Sequence, residues 1–444
     1  MAYVQLGDIC NVVKGEIGIT KAIPGDYPMV TTSEFRKSHN KFQLDTKAIL
    51  VPLVSATGHG HASIKRVHYQ EGKFAFGSIL AACVPKDENY SAKFLYIYFN
   101  LMKDYVLVPL MKGSANVSLT LGNLKKAKVP NISLETQLEI VELYSKIKIE
   151  KDKTTDLFSK QEKDIDSLRQ AVLQEAVQGK LTANWRANNP NSENANQLLK
   201  RIKAERSKLI SEKKLKKTRE KGDILEGEFN LDLPNSWTIA KAVDLGFITK
   251  LAGFEYSKHI NLQDEGEVPV IRAQNVKPNR IDETKLKYID LETSKLLNRC
   301  ELVKESLLIT FIGAGIGEVA VFRKKERWHL APNVAKLEPF NEFNHNIEID
   351  YLLFYLLSPI GRKELFKHMK STAQPSLSMG TIRDIIVCLP PIEEQKAIVE
   401  KVNALMGLCD GLEQEVQQSQ VHSEQLMQSV LREVFEGKRK AVEV

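Results

Sequence analysis

Cysteine is scarce in this 444-residue chain and nowhere paired by spacing: Cys10, Cys83, Cys300, Cys388 and Cys409 stand apart, with no Cys-x-x-Cys. That pattern excludes a disulfide framework and a cysteine-based zinc site, and it suits a reducing compartment. Long apolar runs are missing too. None approaches the ~18 residues that span a bilayer, and Met1-Ala2-Tyr3-Val4-Gln5 does not open a secretory signal. The expectation is a cytoplasmic chain with no membrane partner.

Signatures of catalysis are equally sparse. There is no Gly-x-x-x-x-Gly-Lys-Ser/Thr. Gly313-Ala314-Gly315-Ile316-Gly317 lacks the third glycine of the dinucleotide fingerprint at its spacing and runs into β-rich residues instead of a helix. It reads as a turn between strands. His59 and His61 have no cysteine, histidine or carboxylate at ligand spacing, which argues against a metal site. The Asn-Pro-Pro-aromatic tetrapeptide of amino-methyltransferases, a Gly-x-Ser-x-Gly elbow and a paired-carboxylate nuclease motif are all absent. The sequence does not read as an enzyme, and no cofactor is expected in this chain.

With 43% hydrophobic and 27% charged residues the chain is an ordinary foldable mixture. Its net charge of +7 is concentrated. Between Lys200 and Lys221 stand eleven lysines and arginines against three glutamates. The rest is close to neutral, so nucleic-acid contact must come from local patches or be shared with a partner.

The chain repeats itself. Ser167-Leu168-Arg169-Gln170-Ala171-Val172-Leu173-Gln174-Glu175 returns 258 positions later as Gln425-Leu426-Met427-Gln428-Ser429-Val430-Leu431-Arg432-Glu433, and both copies end in Gly-Lys, at Gly179 and Gly437. At the same offset Gln137 meets Gln395, Gly122 meets Gly380, and Ile140-Val141-Glu142 meets Ile398-Val399-Glu400.

Short β-rich pieces punctuated by glycine and proline fill 1–130 and 233–387. Two long helical stretches follow them, over 131–185 and 388–444. Ser133 is placed to cap the first, and Gly179 to stop it. Residues 186–232 read as a semi-ordered basic connector. Leu138, Val141, Ile165, Leu168 and Val172 in the first helix, and Leu412, Val416, Leu426 and Val430 in the second, recur at spacings of three and four. Neither stripe can be buried alone. The expected architecture is α/β (α+β): two pseudo-repeated globular units, and two long helices paired as an antiparallel coiled coil.

The doubled Leu-x-Gln-x-Val-Leu-x-Glu-x-x-x-Gly-Lys pattern resembles the specificity subunit of type I restriction–modification systems. So do Leu389-Pro390-Pro391-Ile392-Glu393-Glu394-Gln395 and the Leu181-Thr182-Ala183-Asn184-Trp185-Arg186 connector. The first half departs from this pattern, entering its helix through Val129-Pro130-Asn131-Ile132 without the double proline.

The resemblance implies that each globular unit is a target recognition domain reading one half of a split double-stranded DNA site, with the helical pair fixing the gap. It implies partners: modification (methyltransferase) subunits, expected to be two, and restriction/translocase subunits. S-adenosylmethionine, ATP and Mg would belong to those partners. Loop residues whose chemistry matches base edges are the candidate contacts. In the first unit these are Thr57, His59, His61, Lys65, Arg66, Ser114 and Asn116. In the second they are Arg272, Asn275, Arg323, Lys324, Lys325, Arg327, Thr372 and Gln374. Two other classes stand against this reading: a self-contained methyltransferase or nuclease, and a coiled-coil scaffold that organises partners without reading DNA.

Overall fold

A computed structural model describes residues 2–57, 60–114, 116–216, 224, 227–313, 315–367, 369 and 376–440. It forms two compact units, Met1–Gln161 with Glu415–Val444, and Glu162–Gln414.

The first unit is built from strands β1 (Tyr3–Gln5), β2 (Cys10–Lys14), β3 (Tyr27–Val30), β4 (Lys37–His39), β5 (Leu44–Asp45), β6 (Ala48–Pro52), β7 (His68–Gln70), β8 (Lys73–Phe76) and β9 (Leu80–Pro85). Helix α1 (Ala92–Val106) and strand β10 (Lys128–Pro130) come next, then the long helix α2 (Leu134–Val177). One sheet has the order β2-β9-β6-β7 and a second β4-β3-β8-β5; β1 pairs with β10.

Strand β6 shows why these residues make this layer. Its run of apolar residues is buried on both faces, as continuous apolar strands require. Ile49 and Val51 pack with Phe94, Leu95, Tyr98 and Phe99 of α1. Ala48 and Leu50 point the other way, onto Phe74 and Phe76 of the second sheet.

The second unit repeats the plan. Helix α3 (Ala195–Ser211) is followed by β11 (Thr238–Lys241), β12 (Gly246–Lys250), β13 (Val268–Ile271), β14 (Val276–Lys277), β15 (Arg280–Ile281), β16 (Lys287–Ile289) and β17 (Glu301–Leu302). Then come β18 (Ser306–Thr310), β19 (Val319–Phe322), β20 (Trp328–Leu330), β21 (Val334–Pro339), helix α4 (Ile349–Leu357), β22 (Ile386–Leu389) and the long helix α5 (Ile392–Lys440). The sheets β12-β21-β18-β19 and β16-β13-β20-β17 match those of the first unit strand for strand, and β11–β22 matches β1–β10. The hairpin β14–β15 is the addition.

Ser133 caps α2 by accepting from the Thr136 N–H at 3.2 Å. Gly179 closes it at φ +73°, with its N–H on the Ala176 carbonyl. Helix α5 has no such stop at Gly437 and runs on to Lys440.

Two further expectations need correction. Residues 186–232 contain an ordered helix: in α3, Leu198 and Ile202 are fully buried in the second unit's core. Buried Glu205 accepts from the Glu342 and Phe343 N–H groups and from Asn346 Nδ2. The thin apolar stripe of Leu198, Leu199, Ile202, Leu209 and Ile210 is legible in the sequence as a helix; what the sequence understates is that the stripe is packed into a core.

The second correction concerns the helix seam. Within the second unit the long helices run antiparallel, because falling numbers on one side meet rising numbers on the other. Thr182 meets Glu394, the Leu181 carbonyl meets Lys401, and Arg169 ion-pairs with Asp410 and Glu413, both at 2.7 Å. Within the first, Lys151 lies 3.9 Å from Glu424. Ile165 and Val172 are buried, and Val416 is half-buried. However, Leu138, Leu168, Leu412, Leu426 and Val430 are exposed, Leu168 to 46% and Leu426 to 66%. Val141 packs on the first unit's globular core. Where Arg169 pairs with Asp410 and Glu413, the positions turned to the partner helix are offset by one from Leu168 and Leu412, and one residue turns a helix face by about 100°.

Candidate nucleic-acid interface

In the first unit two connections meet. The Leu119 N–H donates to the Leu53 carbonyl at 2.8 Å, and the Ser55 N–H to the Val117 carbonyl at 3.0 Å. Gly60 sits at φ +80°, where a Cβ would lie 2.4 Å from the Ser114 carbonyl oxygen, so the contact between the loops requires glycine here. Thr57, His61, Ser114 and Asn116 are thereby brought together. Thr57 is half committed: its hydroxyl reaches the His61 carbonyl and Ser63 Oγ, both at 3.1 Å. The side chains of His61, Ser114 and Asn116 are exposed. His59 lies outside the described residues.

The second unit has the same seam 258 positions on. The Leu377 N–H donates to the Phe311 carbonyl at 2.9 Å, beside a bridge between Ile312 and Ser376. Gly313 and Gly315–Gly317 lie in the β18–β19 connection, matching the β6–β7 connection that holds His61, and Ala314 lies outside the described residues. Thr372 and Gln374 lie outside the described residues.

The remaining candidates separate by their partners. Asn275 is corrected: it is buried, its Oδ1 accepts from the Arg272 N–H and its Nδ2 donates to the Asp282 carbonyl, so its amide holds a turn and cannot reach a base. Arg272 gives Nη2 to the Lys285 carbonyl at 2.6 Å. Arg66 ion-pairs with Glu34 at 2.8 Å, Lys324 with Glu283 at 2.9 Å, Arg323 with Asp350 and Glu305, and Arg327 with Glu301. Lys65 and Lys325 are exposed and have no ion pair among the described residues. The exposed pairs among these, Lys324 with Glu283 and Arg323 with Glu305, are worth about 0–1 kcal/mol, so a phosphate can replace the carboxylate there at little cost; Arg327 and Glu301 are half-buried.

Residues 31–37 escaped the sequence reading. Here Arg36 donates Nε to Gln70 Oε1 at 2.9 Å, Nη2 to the Tyr69 carbonyl at 3.0 Å, and Nη1 to the Glu34 carbonyl and His68 Nδ1 at 3.3 Å. A guanidinium has no lone pair, so His68 Nδ1 accepts and the ring is neutral. Burial, then the charges of Arg36 and Arg66, push His68 down to about 4, opposed by Glu34. An unfolded histidine titrates near 6.5, so the unfolded chain binds more protons than the native one between those values, and stability falls as pH falls through that window. From pH 7 to pH 5 the first unit should lose about 2 kcal/mol that a His68→Gln variant does not lose. Urea midpoints of both chains at the two pH values check this; equal losses would refute it.

Among the described residues there is no cluster able to hold a metal ion, and no helix long and apolar enough to cross a membrane.

A family model described as the type I restriction modification DNA specificity domain matches residues 1–159 and 234–420, more than half of the chain. The chain is 25% identical over 269 residues to the type I restriction enzyme EcoBI specificity subunit of Escherichia coli, covering 61% of this chain and 49% of that one. It is 21% identical over 444 residues to the EcoDI specificity subunit of the same organism, covering 98% and 87%. It spans about half the length of the EcoBI and EcoAI subunits, 49% and 44%. A solved structure described as "Structural basis underlying complex assembly and conformational transition of the type I R-M system" shares the fold at TM-score 0.53, with 12% identity over 98% of this chain and 97% of that one. With a specificity-domain match in each half and one strand order in both, the chain belongs to the family of type I restriction–modification specificity subunits.

Proposed function

We propose that this chain is the non-catalytic, DNA-reading subunit of a type I restriction–modification complex. Each unit would read one half of a split target, and the paired long helices would set the unread gap. The observation that carries the reading is the duplication: identical strand orders present the same two adjoining connections in each unit. Two modules reading a duplex need half-sites at a defined spacing, which a rigid helical connection supplies.

The relatives are named as specificity subunits of restriction enzymes. By the same reading the partners are double-stranded DNA, two modification subunits and restriction/translocase subunits, and S-adenosylmethionine, ATP and Mg serve those partners in the cytoplasm of a prokaryote. In the second unit the exposed Leu408 and Leu412, and in the first the exposed Leu426 and Val430, each offer such partners apolar contacts.

The scaffold alternative draws on one observation, that Arg66, Arg323 and Arg327 are already ion-paired. A genome-wide map of methylated bases, with and without this chain beside its modification subunits, separates the two readings. A split motif with a fixed gap, seen only with the chain, supports reading. Arg66→Ala and Arg323→Ala should then each relax a different half-site. Methylation independent of the chain, or unmoved by either variant, would favour the scaffold.

A further inference from the structure

The two units part company at one connection. Between β3 and β4 it is residues 31–36, whereas the matching connection from β13 to β16 is residues 272–286 and carries the β14–β15 hairpin. The flanking register is the same in both: Met29 faces Lys37, and Val270 faces Lys287. Modules that read different sequences from one scaffold should differ in the segments that read, since loops carry specificity and sheets carry stability.

The short connection is built to display one side chain. Four of the five N–H groups of Arg36 are engaged, with Gln70, the Glu34 and Tyr69 carbonyls, and His68. Glu34 is tied to Arg66, and the Ser33 N–H donates to Thr31 Oγ1 at 3.2 Å. Between these anchored residues Phe35 is 80% exposed. A single exposed aromatic means little by itself. This one is braced from both sides, with exposed Lys37 two positions on and exposed Lys65 close enough to Glu34 to act on its carboxylate, a setting that draws phosphate and leaves an apolar ring in front.

We infer that Phe35 is a base-contacting residue of the first unit, held out by Arg36 for apolar contact with base edges in the major groove of duplex DNA. The inference rests on the DNA-reading function proposed above. The thymine methyl group is the base feature that a phenyl ring recognises there. Arg36 is a positioning residue, its hydrogen bonds spent on the loop.

The test uses the full chain assembled with its modification subunits, and duplexes carrying the motif mapped for the wild type. Phe35→Ala removes no buried contact, so assembly and melting should be unchanged. Its affinity should fall about tenfold. That loss should vanish when one half-site is scrambled and persist when the other is. Arg36→Lys should give a similar loss, and the double variant little more. Affinity within about twofold of wild type, or a loss insensitive to both scrambles, would overturn the inference. So would a variant that sheds modification subunits while assembled complexes bind DNA normally, since Phe35 would then be a protein contact. A wild-type complex with no split motif removes the underlying reading; a clear motif untouched by Phe35→Ala removes only this inference.

Discussion

Replacing Glu394 with alanine is expected to destabilise the second unit by about 3–5 kcal/mol, the cost of breaking a buried charge pair from one side. The Glu394 carboxylate is fully buried at the start of α5. Its Oε2 accepts from Trp237 Nε1 at 2.8 Å, and its Oε1 from the Thr182 hydroxyl at 2.7 Å and from Arg186 Nη1. Alanine takes the acceptor from three donors: the Trp237 indole N–H is left without a partner, and Arg186 Nη1 and the Thr182 hydroxyl keep only longer bonds, to Thr182 Oγ1 at 3.2 Å and the Gly179 carbonyl at 3.5 Å. Gly179 seals the same corner: a Cβ there would lie 2.7 Å from Pro234 Cγ and 3.1 Å from Trp237 Cζ2. The read-out is convenient, because Trp185, Trp237 and Trp328 all belong to this unit. The urea midpoint by tryptophan fluorescence should drop sharply for Glu394→Ala. It should drop less for Glu394→Gln, which keeps an acceptor but turns an amide N–H₂ towards donors. A loss under about 1 kcal/mol for the alanine variant would show that the clamp is incidental.

This clamp also marks where the sequence stops being legible. The repeat register placed Gln137 against Gln395 and the two helix entries against each other, and those correspondences hold as geometry. The clamp has no such signal. The counterpart of Glu394 at the repeat offset is Thr136, whose hydroxyl lies 3.0 Å from Ser133 Oγ, so the carboxylate is peculiar to one copy. Its partners Thr182, Arg186 and Trp237 lie far away in sequence, and no local spacing unites them.

The seam failed for a related reason. Leu412 has the periodicity of a packed stripe, yet beside it the face turned to the partner helix carries Asp410 and Glu413, which meet Arg169 across 241 and 244 positions of chain. Apolar spacing alone chose the neighbouring face. The candidate readers divide similarly: residue chemistry found the adjoining connections that carry His61, Ser114 and Asn116, but it could not tell a displayed amide from the buried one of Asn275.

The paired glutamines offer the second large effect, and they test the repeat as energy. Gln137 Oε1 accepts from the Ser91 N–H at 2.9 Å, at the N-cap of α1, while its Nε2 donates to the Asn89 and Ile132 carbonyls. At the same offset Gln395 Oε1 accepts from the Glu348 N–H at 3.0 Å, at the N-cap of α4, and its Nε2 donates to the Pro390 carbonyl. Both side chains are fully buried. Each ties the helix that covers a sheet to the entrance of a long helix, and satisfies backbone groups that water cannot reach. Leucine at either position keeps the volume and strands those groups, at about 1–3 kcal/mol apiece, so a loss of about 3 kcal/mol is expected from each change. Gln395→Leu should lower the tryptophan-detected midpoint. Gln137→Leu should leave that midpoint alone and speed amide exchange in Ile49–Val51 of β6, because the lesion sits in the unit that lacks tryptophan. Matched losses would mean that the duplication preserved a working joint as well as a sequence pattern. A large loss from Gln137→Leu and none from Gln395→Leu would mean that in the second copy the joint is borne by the neighbouring Glu394 clamp, and that the resemblance at position 395 is one of form alone.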